Sequence, residues 1–129
     1  MRNIFRNQGR IRHMSEPVYK LVDPRVWAEA MSAGVFKGAG ADLEDGYIHL
    51  SNAEQLPGTL EKWFADFDRL ALIEIDAGHF GDELVWEKSR GGELFPHLYD
   101  ELPMIAVKTV RLLRKGDEGG WLLPDDLST

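Results

Sequence analysis

Two histidines in the chain stand among residue types that bind ligands or transfer protons. His49 alternates with Tyr47 and Ser51, and His97 lies in residues 95–99, which read Phe-Pro-His-Leu-Tyr. A histidine beside a hydroxyl group can orient a nucleophile or hold the hydroxyls of a ligand. If the two segments are neighbours, both histidines line one cleft. The alternative is that His49 is a hydrogen-bonded framework residue and that residues 95–99 are an ordered loop.

Glu87, which follows Trp86, is the carboxylate that we assign to the same cleft. Such a group accepts hydrogen bonds from ribose hydroxyls and stabilises an oxocarbenium-like centre, or it is simply a solvated strand residue. The four histidines include no i, i+4 pair and no His-Glu-x-x-His motif, so we predict no metal site. A Walker loop, a Gly-x-Gly-x-x-Gly motif after a strand and a Gly-x-Ser-x-Gly elbow are also absent from the sequence.

The strand that carries His49 is predicted by alternation of apolar and polar residues, the period of a half-buried strand. Ile48 and Leu50 face the core in this prediction. Tyr47, His49 and Ser51 then share the opposite face. The tyrosine and the serine therefore belong to the same candidate surface as the histidine.

A strand and a helix precede this segment. Residues 18–22 favour a strand, after which Asp23 is an N-cap and Pro24 the first helical residue. Gly34 ends the helix, and the glycines and aspartates of residues 34–46 predict a mobile loop. The residues expected on the buried face of the helix are Trp27, Ala30 and Met31.

A second helix is expected after the His49 strand. Ser51 and Glu54 have the spacing of a capping box, and Pro57 interrupts the helix, so we predict a turn followed by a helix over residues 59–67. The buried stripe predicted for it consists of Trp63, Phe64 and Phe67.

Three further strands are predicted over residues 70–76, 84–87 and 104–113, the last with Val107 and Val110 buried. Successive strands without a helix between them are incompatible with a regular parallel sheet, which needs a crossover connection. The sequence therefore predicts a mixed α+β fold.

Composition indicates one globular domain. The chain has 129 residues, 43% of them hydrophobic, and no cysteine, which excludes disulfides and thiolate chemistry. We expect a disordered basic leader over residues 1–14, a single domain over residues 15–116 and a tail over residues 117–129. In the tail, Trp121 and Leu122 would cover either this chain's own core or that of a neighbour.

The charge of the chain is unevenly distributed. Its formal net charge is -7, but the first 14 residues hold four arginines and no acid, which leaves 11 basic and 22 acidic residues in the body. An acidic surface repels polyanions, so we expect no broad nucleic-acid interface, and a phosphate-bearing ligand needs a local cation such as Lys20. No apolar run reaches the length of a membrane span or a secretory signal, so we expect a cytoplasmic protein with no membrane contact.

The motif Asp-Gly-Tyr-Ile-His-Leu-Ser at residues 45–51, Gln55, the Trp86-Glu87 pair and residues 95–99 together resemble a family of small bacterial domains of unknown function. The resemblance covers residues 18–113. It implies an ADP-ribosyltransferase-like fold, in which two small antiparallel sheets form a cleft for a nicotinamide dinucleotide. Among the enzymes of that fold, the RNA 2'-phosphotransferase resembles this family of small domains.

The resemblance also assigns residues. Tyr19 and Lys20 match the first strand of the family, with Lys20 near the place where the transferases have a ribose-binding histidine. His49 and Ser51 match the second-strand pair, and Glu87 is the best match for the transferase glutamate. Two positions differ mildly from the family pattern, Tyr47 for Phe and Asp100 for Gly.

Two hypotheses follow. The first is an enzyme that acts at the anomeric carbon of ribose, with NAD or a related nucleotide as substrate. In that enzyme the catalytic residues are His49, Glu87 and His97, and the ligand-binding residues are Tyr19, Lys20, Ser51 and Tyr99. The second is a noncatalytic binding or interaction module that keeps the fold, because a lysine at the position of Lys20 donates hydrogen bonds but cannot accept them.

Overall fold

The structure, a computed structural model, describes residues 16–89 and 91–127; the predicted leader lies outside these ranges. The strands are β1 (Val18–Val22), β2 (Val35–Phe36), β3 (Ile48–His49), β4 (Arg69–Ile75), β5 (Leu84–Lys88), β6 (Leu94–Leu98), β7 (Leu102–Pro103), β8 (Val107–Lys115) and β9 (Trp121–Leu122). The helices are α1 (Pro24–Ala33), α2 (Ala41–Asp45) and α3 (Leu56–Trp63), with 3-10 turns at Ala77–His79 and Met104–Ala106. The predicted mixed α+β class is confirmed.

The strands form three sheets in which all the pairings of named strands are antiparallel. The larger sheets have the orders β1-β4-β8-β9 and β3-β6-β5, and β2 pairs with β7. Tyr19 and Ser51 exchange backbone hydrogen bonds of 2.8 and 3.0 Å, which join β1 to the segment after β3. The two larger sheets are therefore linked at this point.

Both faces of β1 are buried, because apolar layers cover the four-stranded sheet on each side. Val18 and Val22 point into the layer that also holds Trp27, whereas Tyr19 and Leu21 point into the layer with α3. Lys20 shares the face of the two valines by strand alternation. The chain therefore places a lysine inside its core.

α1 follows its sequence signals. The side chain of Asp23 accepts a hydrogen bond from a backbone N–H of the first turn, and Gly34 ends the helix with φ at 84°. Trp27 and Ala30 are buried as predicted. The prediction for Met31 is wrong, since it is 52% exposed: the buried stripe centres on Ala30 and leaves Met31 at its margin.

α3 begins earlier than predicted, at Leu56, and Pro57 lies in its first turn. Proline is tolerated there because backbone N–H groups of the first turn have no intrahelical acceptor, so none is lost. The capping pair also differs from the prediction. The N–H of Asn52 donates to Oε1 of Gln55 at 3.0 Å, and the N–H of Gln55 donates to Oδ1 of Asn52 at 2.9 Å. This reciprocal pair lies one residue after the predicted one.

The predicted buried stripe of this helix is wrong. Leu56 and Leu60 enter the core, while Trp63 is 58% exposed and Phe67 lies beyond the end of the helix at 36% exposure. Phe64 packs partly against the core. Apolar character alone misled the prediction, because the helix turns Leu56 and Leu60 inward and Trp63 toward solvent.

Three segments outside the predicted helices and strands contain regular structure. Residues 34–46 contain β2 and α2 rather than a loop, and residues 95–99 overlap β6. In the predicted tail, β9 pairs with β8, and Trp121 packs partly against this chain's own core. Leu122 does not cover a core in this structure, since it is 50% exposed.

The long final strand is β8, which starts after a 3-10 turn. Its Leu113 is buried, but the prediction for Val110 is wrong, since that residue is 45% exposed.

Candidate functional site

Pairing of β3 with β6 places the two histidines directly opposite each other. The rings of His49 and His97 lie 5.7 Å apart between centroids, and the ring of Tyr47 stacks on His97 at 4.2 Å. Tyr99 lies 5.1 Å from Tyr47. We call this group and its carboxylate the histidine cluster; its members are Tyr47, His49, Glu87, His97 and Tyr99.

Glu87 is held by His97 on the adjoining strand and by Tyr99, which follows that strand. β5 and β6 pair so that Glu87 lies opposite Phe95, one diagonal step from His97 on the same face. Oε1 of Glu87 accepts from Nδ1 of His97 at 2.8 Å and from the hydroxyl of Tyr99 at 2.7 Å. A carboxylate only accepts, so both partners donate and the carboxylate is fixed between them.

The tautomer of His97 follows from this bond. With its proton on Nδ1, the neutral imidazole carries a lone pair on Nε2. Nε2 has no hydrogen-bond partner among residues 16–89 and 91–127. His97 is only 5% exposed, because the ring of Tyr47 lies over it.

Burial and hydrogen bonding shift the proton affinities in the cluster. Burial lowers the pKa of His97 below its ordinary value of 6.5, although Glu87 opposes the shift. The hydrogen bond to Glu87 raises the pKa of Tyr99 to about 12. At neutral pH, His97 is therefore a neutral base and Tyr99 a hydroxyl donor.

Asp42 is the centre of a second, buried group beside the cluster. Its carboxylate accepts from Nζ of Lys20 at 2.9 and 3.0 Å, from Nδ1 of His49 at 2.7 Å and from the N–H of Ala39 at 3.0 Å. Burial opposes ionisation, yet the bond from His49 and the charge of Lys20 hold the pKa of Asp42 down at about 2. We call Asp42, Lys20 and His49 the buried triad.

Local sequence positions this carboxylate. Gly38 has φ at 116°, and a Cβ there would lie 2.9 Å from Cβ of Asp42, so only glycine fits. Gly46 ends α2 with φ at 84°, and its N–H donates to the carbonyl of Asp42 at 3.0 Å. Asp45, at the end of the same helix, lies 2.9 Å from Nε2 of His49.

Both ring nitrogens of His49 therefore contact carboxylate oxygens, from Asp42 and Asp45. The neutral ring donates one of these bonds, whereas the imidazolium donates both. In either form no ring nitrogen is left for a ligand. His49 fastens α2 to β3.

The structure brings four of the predicted site residues together: His49, Glu87, His97 and Tyr99. The other three lie elsewhere. Tyr19 is buried in the layer with α3, where burial and then Glu74 raise its pKa. Ser51 is buried with its hydroxyl 3.0 Å from that of Thr59.

Lys20 is the third of these, and it lies beneath Asp42. Its Nζ also donates to the carbonyl of His49 at 3.1 Å and lies 6.0 Å from the ring centroid of Phe36. Burial lowers the pKa of Lys20, and the charge of Asp42 opposes that shift. Its ammonium is satisfied by the core and is not presented at the surface.

Sequence reasoning did not assign Asp42 and Asp45 to the site and treated Tyr47 only as a residue of the same strand face. The signal was present: Asp42 and Asp45 precede His49 by seven and four residues, and Gly46, which ends the short helix, comes directly after Asp45. Asp42 is buried, and a buried carboxylate needs partners.

Residues 16–89 and 91–127 contain neither a cluster of metal-binding side chains nor a membrane-spanning helix. No group of three or more His, Asp or Glu side chains there is arranged to hold a metal ion. No helix in the same ranges is long and apolar enough to cross a bilayer.

Comparison with known proteins identifies the family of the chain. The model of the family described as "Protein of unknown function (DUF952)" matches residues 21–110, about 70% of the chain. The chain belongs to this DUF952 family. The matched DUF952 region contains every member of the histidine cluster and all of the buried triad except Lys20.

Solved structures of protein CC0527 from Caulobacter crescentus are similar to this DUF952 chain. Its crystal structure has 40% sequence identity and a TM-score of 0.80, and the match covers 86% of this chain and 97% of that one. Its solution NMR structure has 39% identity and a TM-score of 0.73, with coverage of 81% and 90%. No curated protein matches the chain.

Proposed function

We propose that the histidine cluster binds the nicotinamide-ribosyl part of NAD, or of a related nucleotide, and that its chemistry is substitution at the anomeric carbon of that ribose. One observation carries the proposal: the carboxylate of Glu87 is fixed by His97 and Tyr99 beside the stacked ring of Tyr47. A fixed carboxylate stabilises a ribosyl cation, and an aromatic ring stacks on the nicotinamide ring.

Charge favours the positively charged end of such a ligand. Asp45 and Glu87 are partly exposed at the cluster, and Asp42 lies behind it. A nicotinamide cation over Tyr47 is attracted by the face of the ring and by these carboxylates. Positive charge that develops on ribose as the glycosidic bond breaks is stabilised by the same groups.

The fold supports the same function. The proposal draws on the ADP-ribosyltransferase-like resemblance of the motifs, for which two antiparallel sheets are expected; here the two larger sheets are linked by the bridge between Tyr19 and Ser51. His49 and His97, from the two motifs, line one surface of the three-stranded sheet. The fold raises the expectation of a nucleotide ligand, and the cluster carries the chemistry.

NMR titration of the labelled protein tests binding. We expect NAD and nicotinamide mononucleotide to shift the amide signals of Tyr47, Glu87, His97 and Tyr99, and ADP-ribose, which lacks the cation, to shift them less. Tyr47→Ala removes the stacked ring and weakens binding by about 3- to 10-fold, the value of one aromatic contact.

A matched control for this titration is His79→Ala. His79 is exposed in a 3-10 turn and its ring contacts Phe80 rather than the cluster, so its removal leaves binding unchanged. The proposal fails if millimolar NAD leaves the signals of the histidine cluster unmoved.

The second candidate is a noncatalytic binding or interaction module. It is favoured by the position of Lys20, because a lysine engaged by Asp42 in the core does not meet a pyrophosphate. Under this candidate, ligand shifts the cluster but NAD remains intact after prolonged incubation. Turnover of NAD that His79→Ala retains and Glu87→Gln loses would exclude it.

A further inference from the structure

The two histidines of the cluster differ in their ring nitrogens. Both nitrogens of His49 contact carboxylates, whereas one nitrogen of His97 is hydrogen-bonded and the other can accept a proton. Its Nδ1 is bonded to Glu87, and its Nε2 has no partner within the described residues. A carboxylate that holds one nitrogen of a histidine fixes the tautomer and stabilises the imidazolium that forms when the other nitrogen accepts a proton. The pair therefore has the geometry of a general base.

We propose that His97 is the general base of this site and that water is the nucleophile it activates, so that the reaction is hydrolysis of an N-glycosidic bond. This inference rests on the proposed function, for which it names the acceptor. In this scheme Glu87 stabilises positive charge on ribose and also positions His97.

Burial of His97 favours a small molecule as the acceptor of the ribosyl group. His97 is 5% exposed and the ring of Tyr47 stacks on it, so a small acceptor is favoured over a side chain on another protein. The acidic body of the chain, with 22 acidic side chains against 11 basic ones after residue 14, repels an RNA acceptor. Water satisfies both conditions.

The step balances as follows for NAD. A lone pair of the water oxygen forms a bond to the anomeric carbon of ribose, while the bond from that carbon to the nicotinamide nitrogen breaks and its electron pair neutralises the pyridinium. The water proton passes to Nε2 of His97. The products are nicotinamide, ADP-ribose and an imidazolium paired with Glu87, which returns its proton to solvent.

Proton affinity is consistent with this role. Burial lowers the pKa of His97, so the neutral base is the main form at neutral pH. The titratable groups that face it are Glu87 on β5, His49 on β3 and Asp45 on α2. Tyr47 and Tyr99, whose pKa values are raised by burial and by Glu87 respectively, stay neutral.

The first test uses the wild-type protein and needs no turnover. Nitrogen-15 NMR of the imidazole rings distinguishes a protonated from an unprotonated ring nitrogen. Above the titration of His97 we expect a protonated Nδ1 and an unprotonated Nε2. A proton on Nε2 in the free protein would overturn the assignment of His97 as base.

The second test measures release of nicotinamide and ADP-ribose from NAD. His97→Asn keeps an amide donor toward Glu87 and removes Nε2, and we expect it to lower the rate by about 100- to 10,000-fold, the usual contribution of a general base. The His79→Ala variant keeps the wild-type rate. Equal rates for His97→Asn and the wild type would refute the inference even if the variant binds NAD normally.

The positioning role of Glu87 has a separate readout. The acid limb of the pH–rate profile follows His97, and Glu87 raises the pKa of that ring, so Glu87→Gln moves the limb to lower pH while slowing the reaction. A purely structural role would lower the rate without moving the limb.

Product analysis separates this inference from the function it rests on. One ADP-ribose in solution for each nicotinamide supports water as acceptor, whereas an ADP-ribosyl adduct on protein contradicts it. If NAD shifts the cluster but no nicotinamide appears, the inference is wrong and the binding proposal stands. If NAD causes no shifts, both are wrong.

Discussion

His49 and His97 face each other across one pair of strands, yet their surroundings are opposite. Both ring nitrogens of His49 contact the carboxylates of α2, whereas His97 has one nitrogen on Glu87 and one without a partner in the described chain. The more exposed histidine is thus the saturated one. Exposure alone would have selected His49 rather than His97, which we propose as the base.

This difference indicates two roles: the buried triad is structural, and the Glu87–His97 pair is suited to proton transfer. The buried triad neutralises charge inside the protein and holds α2 in place, whereas the Glu87–His97 pair keeps proton-accepting capacity at the edge of the core. Substitutions in the triad should therefore act on stability, and those at Glu87 or His97 on proton transfer.

The largest expected effect is on the triad. Asp42→Asn leaves the ammonium of Lys20 buried without its counter-ion, and we expect a loss of roughly 3–5 kcal/mol in the free energy of unfolding, measured by urea denaturation. Combining Lys20→Met with Asp42→Leu removes both charges and should recover most of this loss. A single variant as stable as the wild type would contradict the structural role of the triad.

Acid should abolish part of the same stabilisation. The pKa of Asp42 lies near 2 in the folded protein against 3.8 for a free carboxyl, so its contribution is complete above pH 3.8 and is lost as the pH falls through 2. The stability difference between wild type and Asp42→Asn should shrink by about 2 kcal/mol across this interval. Urea unfolding at several pH values measures it, and a constant difference would contradict the low pKa.

Glu87 should control the ionisation of Tyr99. In Glu87→Gln the carboxylate charge is gone, so the pKa of Tyr99 falls from about 12 toward 10. Ultraviolet titration of tyrosinate follows this change, with Tyr99→Phe identifying the signal. If the titration is the same in Glu87→Gln and wild type, the two side chains do not share the bond described here.

The smallest effect concerns a residue that sequence analysis assigned to the site. Ser51→Ala removes the hydroxyl bonded to Thr59 and should cost about 1 kcal/mol in stability, with NAD-induced shifts unchanged. Thr59→Val, which removes the other hydroxyl, is the matched variant. A Ser51→Ala variant that lost the shifts would return Ser51 to the binding surface.

Local signals in the sequence predicted much of the framework. Capping by Asp23 and Gly34 gave the limits of α1, the strand-favouring residues of 18–22 gave β1, and alternation gave the inward direction of Ile48 and Leu50. These features depend on neighbouring residues in the chain. The absence of crossover helices gave the mixed α+β class.

Features set by tertiary contacts escaped the sequence. Alternation assigned Ser51 to the face of His49, but β3 ends at His49 and Ser51 pairs with Tyr19 instead. Gln55 belonged to the motif, yet its amide is buried and donates to the carbonyl of Leu94 at 2.7 Å, which anchors the start of β6. A motif residue can serve the framework as well as the chemistry.

The position of β4 between β1 and β8 has a consequence for how the chain folds. Tyr19 pairs with Glu74, which in turn pairs with Thr109, so the central sheet joins segments that are far apart in sequence. On the ribosome, β1 can form its bridge to Ser51 early, but its partner strand in the four-stranded sheet is missing until β4 has emerged, and that sheet is completed by β8 and β9. Such non-local pairing is typical of domains that fold in about milliseconds to seconds, rather than in the microseconds of helical bundles.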